Sequence, residues 1–224
     1  MLISRLFLTA VACAIIPLNA QNFGERIRNQ ASIATSKKEV ARDTHELTDF
    51  EREIDSFATH LKDGDMVRAT RSMVELEAMM QREIEQFVAK IKRAKSEQRS
   101  SRRELGSDRR ELRKNRKEDA DAWTNAGDRR DKRDDRRDYA DDIADVETYE
   151  SLKKRAKSLL ASFSRNDLSA DGNDSGLHRR TMDDLYAFKG LMQEDLRLSG
   201  VEIREDKKES REDRRETRED RRDR

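Results

Sequence analysis

Residues 33–61, IATSKKEVARDTHELTDFEREIDSFATHL, decide the fold class. Ile33, Val40, Leu47, Ile54 and Leu61 recur every seven residues, and Phe50 and Phe57 fill the companion position. Apolar residues at such spacings share one face of an α-helix. The stretch therefore predicts an amphipathic helix that must bury that face against another element. Ser36-Lys37-Lys38-Glu39 has the form of a capping box and predicts a start at Ser36 or slightly before it.

Lys62-Asp63-Gly64-Asp65 reads as a turn, with Asp65 as the N-cap of a second helix. That helix carries Met66, Ala69, Met73, Leu76, Met80, Ile84, Phe87, Ile91 and Ala94 on one face. A short turn between two such helices makes an antiparallel hairpin. A similar pattern returns near the C-terminus. Val146, Tyr149, Leu152, Ala156, Leu159 and Phe163 step by three or four, a polar loop runs from Ser164 to Arg180, and Thr181-Met182-Asp183-Asp184 reads as a second capping box. Met182, Leu185, Phe188, Met192 and Leu196 then form an apolar stripe, loosened by Gly190 and Gly200.

The two hairpins read as an internal duplication. Leu47-Thr48-Asp49-Phe50 corresponds to Val146-Glu147-Thr148-Tyr149, Arg71-Ser72-Met73 to Arg180-Thr181-Met182, and Met80-Gln81-Arg82-Glu83 to Met192-Gln193-Glu194-Asp195. Trp123-Thr124-Asn125-Ala126-Gly127-Asp128 looks like a helix end at the join, with Gly127 as C-cap. The unbroken heptad phase across Gly106 favours one helix over residues 67–123, the alternative being a break at Gly106 with Asp108-Arg109-Arg110-Glu111 capping a fresh helix.

Each hairpin is followed by a charged extension with its own seven-residue repeat. Residues 102–115 read RRELGSD-RRELRKN, 128–141 read DRRDKRD-DRRDYAD, and 210–223 read SREDRRE-TREDRRD. In the middle segment Asp128, Asp131, Asp135, Asp138 and Asp142 form an acidic stripe. In the tail, Glu205, Glu209, Glu212, Glu216, Glu219 and Asp223 step alternately by four and three, and so do Arg204, Lys208, Arg211, Arg215, Arg218 and Arg222. As a helix, the tail would carry one acidic and one basic face. Like charges there outnumber opposite ones at i,i+3 and i,i+4, which opposes a lone helix by about 0.2–0.5 kcal/mol per pair. Such a helix suits a charged partner, or a tail that is disordered until it meets one.

Charged residues make up 43% of the chain and aromatic ones 5%, too polar for one large globular core. The first 20 residues read as a secretory signal. Arg5 supplies the basic end, Leu6 to Leu18 the apolar run, and Leu18-Asn19-Ala20 the cleavage site. That run is shorter than the roughly 20 residues of a membrane span. A lipoprotein site at Cys13 lacks the leucine three residues before it. Cleavage removes the only Cys and the only Pro, so no disulfide framework is expected. It also takes Arg5 from the 49 basic residues and leaves them equal to the 48 acidic ones. That balance argues against nucleic acid as a partner.

No constellation for chemistry stands out. Asp171-Gly172-Asn173-Asp174-Ser175-Gly176 fits half of a calcium loop, but its twelfth position is Met182 rather than Glu. His45, His60 and His178 are not paired at i,i+4 and read as surface histidines. Neither a phosphate loop nor a nucleophile elbow is visible. No catalytic, cofactor-binding or metal-ligating residue is assigned, and no cofactor is expected.

The expected molecule is all-α: two tandem antiparallel helical hairpins, of coiled-coil or four-helix-bundle kind, with long charge-striped arms. Residues 1–20 would be the signal peptide, 21–95 the first hairpin, 96–142 a charged connector, 143–203 the second hairpin and 204–224 the charged tail. The expected function is that of an exported, non-enzymatic structural or adaptor protein, secreted or periplasmic. It would associate with itself or dock on another charged protein, polymer or mineral surface through the twelve tail residues named above. The alternative is a hydrophilic stress or desiccation protectant, or a periplasmic holdase.

Overall fold

The computed structural model describes the backbone of residues 4–117, 122–166 and 175–222, with side chains described mainly between Ile33 and Arg211. The chain is all-α, with four helices in antiparallel pairs and no strand among the described residues. The helices are α1 (Ser4–Asp63), α2 (Met66–Lys117), α3 (Ala122–Phe163) and α4 (Ser175–Arg222).

The hairpin turn between α1 and α2 has the expected chemistry. Gly64 takes a left-handed φ of 72°, which only glycine adopts without a Cβ penalty. Its amide donates to the Leu61 carbonyl at 3.2 Å. The Asp65 carboxylate then accepts from the Arg68 amide at 3.1 Å, satisfying one of the open donors of α2.

Other expected boundaries move. α1 is continuous through Ser36, which is buried, so Ser36-Lys37-Lys38-Glu39 caps nothing. Gly127 lies inside α3 (Ala122–Phe163) and ends no helix. α2 does run unbroken across Gly106, for 52 residues or about 78 Å at 1.5 Å per residue. α4 begins at Ser175, inside the stretch expected to be loop. Thr181 is consequently in its second turn, fully buried, with its hydroxyl donating to the Leu177 carbonyl at 2.9 Å. Ser175 and Gly176 are thus helical, which removes two positions of the calcium-loop pattern; Asp171 to Asp174 lie outside the described residues.

The chain divides into two compact units. One spans Phe50–Leu191. Its core holds Phe50, Ile54 and Phe57 of α1, Ala69, Leu76, Met80, Ile84 and Phe87 of α2, Leu152, Ala156 and Phe163 of α3, and Leu185, Phe188 and Leu191 of α4. α2 and α3 run antiparallel. Glu77 accepts from the Ser164 hydroxyl at 2.6 Å near one end, and Lys95 meets Glu150 at 2.5 Å further along. The other unit joins Met1–Asp49 with Met192–Arg224. Among the described residues, those buried in it are mainly polar: Ser36 and Asp43 on α1, Asp195 and Ser199 on α4, with Met192 and Ile203.

The α1 heptad is thus shifted from its expected phase. Of the series Ile33, Val40, Leu47, Ile54 and Leu61, only Ile54 is fully buried. The buried seam runs through Phe57 and Phe50, then Asp43 and Ser36 at the same seven-residue spacing.

Candidate interaction surfaces

The charged tail is built on α4, whose backbone is helical through Arg222. Arg204, Glu205, Lys208 and Arg211 are on it, with Arg204, Lys208 and Arg211 exposed. Helical spacing puts Arg204, Lys208 and Arg211 on one strip, with Glu205 off it. In the sequence the basic series goes on to Arg215, Arg218 and Arg222, and the acidic one runs from Glu205 to Glu209, Glu212, Glu216 and Glu219. The side chains of Glu209 and of Glu212 onward, and the whole of Asp223, lie outside the described residues. The Arg204 guanidinium Nε donates to the Gly200 carbonyl at 3.0 Å, a local contact that keeps the side chain along its own helix.

Along the middle acidic stripe, Asp138 is exposed while Asp135 and Asp142 are partly buried. Asp142, at its end, is turned into the α2–α3 interface beside Ser101, and its Oδ2 is buried without a hydrogen-bond partner. Burial pushes its carboxyl above the usual range. A hydrogen bond to Ser101 opposes that shift, and the negative charges of Asp141 and Glu104 add to it. On the same interface, Glu150 is held below the usual range by the hydrogen bond and charge of Lys95.

Several charges sit where an apolar side chain is expected. Glu83 and Lys90 fall on the same buried α2 line as Ala69 and Leu76, at 3% and 6% exposure. Lys90 Nζ lies 5.9 Å from the Tyr149 ring centroid, within cation–π range. Asp43 is 3% exposed, and both Nε and Nη2 of Arg42 donate to its Oδ1, at 2.9 and 2.7 Å. Partial burial works against the Arg42 charge. The Asp43 hydrogen bond and the Asp43, Glu46 and Glu39 charges outweigh it and hold the guanidinium pKa above its ordinary value. Sequence reasoning misses these residues because charge reads as a mark of exposure. Their heptad phase is the signal that could have found them.

On the α1–α4 face, Glu51, Ile54, Asp55, Tyr186 and Lys189 line a small open groove. Lys189 pairs with Glu51 at 3.0 Å and lies 6.0 Å from the Tyr186 ring centroid. The groove's volume, 210 Å³, is below the roughly 300–1,000 Å³ of small-molecule pockets. His45 pairs with Asp49 at 2.8 Å, and His60 contacts Ser56 at 3.2 Å. Among the described residues, no group of His, Cys, Asp and Glu could hold a metal ion. No helix among them is long and apolar enough to cross a membrane.

Comparison with known protein families, curated proteins and solved structures found no match.

Proposed function

We propose that this chain is an exported structural or adaptor protein that works by helix association rather than catalysis, pairing with itself or docking on a charged surface. The observation that carries this is the continuity of α4 from its buried Leu185, Phe188 and Leu191 into the tail as far as Arg222. A helix held in register by a packed core carries its phase into the tail, so the 4-3 charge spacing becomes two strips of opposite sign. Arginine on the basic strip would make bidentate contacts to carboxylate or phosphate, and the acidic strip would meet cations.

Export rests on residues 1–20. Duplication is supported by matched burial: Leu76 and Leu185 are both 0% exposed, Glu83 and Asp195 are 3% and 1%, and Ile91 and Ile203 are 7% and 8%. A core of fully buried phenylalanines favours a folded adaptor over a protectant that stays disordered in dilute solution.

The test changes order without composition. Exchanging Lys208 with Glu209, Arg211 with Glu212, Arg215 with Glu216 and Arg218 with Glu219 preserves net charge and breaks both strips. Full-length protein should associate less strongly, while an isolated 200–224 peptide should become more helical. Unchanged association together with unchanged peptide helicity would remove the proposal.

A further inference from the structure

α2 carries an apolar line on the side away from the core. Val67, Val74 and Val88 are 78%, 62% and 47% exposed. They occupy one seven-residue series, 67-74-81-88, whose third member is Gln81. At 100° per residue this series lies roughly opposite the buried series Ala69, Leu76, Glu83 and Lys90. Nothing in helix chemistry asks for valine there. It is a poorer helix former than the Lys, Glu and Arg that dominate this chain, and outward positions have no packing to reward a β-branched side chain. Three valines in register on the outer face of so hydrophilic a protein, mean hydropathy −1.11, form a seam.

The flanking charges identify the occupant. Arg71, Glu75, Arg82 and Glu85 are all exposed along this face. Laid antiparallel on a second copy of itself about Ala78, α2 sets Arg71 directly against Glu85 and brings Val67 to within one residue's rise of Val88, and Val74 of Gln81. Glu75 comes to within the same rise of Arg82, each pair occurring twice by symmetry. A parallel pairing in register sets Arg71 on Arg71 and Glu85 on Glu85, which repel. The small Ala78 side chain at the centre lets the backbones approach.

We infer that α2 forms an antiparallel, two-fold interface with α2 of a second copy, centred on Ala78 and sealed by Val67, Val74 and Val88. This interface is independent of the charged tail. A seam of one helix per partner belongs to the small interface class, below about 1,200 Å² in total, so dimerisation is expected at micromolar rather than nanomolar concentration.

The experiment is sedimentation velocity on the full chain from about 1 to 100 µM, the range in which a micromolar dimer dissociates. Circular dichroism would confirm that each variant keeps its helix content. The unaltered chain should pass from monomer to dimer. Val74→Glu should remain monomeric throughout. Arg71→Glu should weaken the dimer several-fold, and the double variant Arg71→Glu/Glu85→Arg should restore it, because exchanging both signs rebuilds the pairing. Ala78→Cys should cross-link to itself on mild oxidation, since the two-fold brings the two copies of that position together. A chain that is monomeric at every concentration overturns the inference. So does a dimer that survives Val74→Glu but is lost on deleting residues 205–224, which would place association in the tail.

Discussion

The Phe50 and Phe188 rings meet with centroids 5.7 Å apart and planes tilted by 49°, both side chains fully buried. This offset geometry suits the quadrupoles of the rings, and it ties α1 to α4 within the unit that spans Phe50–Leu191. Truncating either ring removes a large apolar surface and leaves a cavity. Phe50→Ala or Phe188→Ala should each cost about 3–5 kcal/mol, read by urea denaturation. The double variant should show a coupling of about 0.5–1.5 kcal/mol. Additive losses would mean that the rings do not interact.

Ile54 and Leu47 share a sequence heptad but not an environment. Ile54 is 1% exposed, whereas Leu47 is only partly buried. Ile54→Asp should abolish the cooperative thermal transition, because it buries an unpaired charge. Leu47→Asp should lower the midpoint and leave the transition sharp. Equal effects of the two would contradict the burial pattern.

Gly64 and Gly190 respond oppositely to alanine. Gly64 has φ of 72°, so Gly64→Ala should destabilise by about 1 kcal/mol. Gly190 is exposed inside α4 with nothing within 4 Å of an added Cβ. Gly190→Ala should stabilise by about 0.5–1 kcal/mol through helix propensity. Paired thermal melts of the two variants check both signs.

Asp142 makes stability depend on pH. Its folded carboxyl is raised, so the folded state binds the proton more tightly than the unfolded chain. Its contribution is fully present below the unfolded value of about 3.9 and is lost as pH rises through the folded one. Asp142→Asn keeps the shape without the charge. The variant should gain most over the parent chain at neutral pH, and the gain should shrink as pH falls toward about 4, measured by denaturant titration at several pH values. A difference that grows on acidification would show the opposite shift.

The charged arms should respond to salt more than the core does. The Debye length falls from about 10 Å at 0.1 M to about 3 Å at 1 M, which screens exposed strips. Association through the tail should weaken across that range, while the melting midpoint moves little. Sedimentation profiles unchanged between those salts would exclude pairing by charge strips.

The two hairpins are legible in the sequence because their signals are local. A roughly 3.6-residue apolar period, a Gly-Asp turn and an N-cap act over one or two turns of chain, and the α1–α2 hairpin is built from them. Local signals mislead where they carry a second meaning. Ser36-Lys37-Lys38-Glu39 matches a capping box, yet a helix already under way needs no cap. Gly127 can end a helix, but glycine inside one costs only about 1 kcal/mol, which packing elsewhere can offset.

By itself the sequence determined that the chain is helical, that α1 and α2 fold back on each other at Gly64, and that charge is sorted along the arms, since all three depend on neighbours within a few residues. Only the tertiary structure decided which polar groups enter the interior. Asp43, Glu83, Lys90 and Asp195 are buried and Asp142 faces the α2–α3 interface, while Val67 and Val74 face outward. Periodicity tells which residues share a face. What stands opposite that face is set by distant parts of the chain, and that decides whether the face is dry or wet.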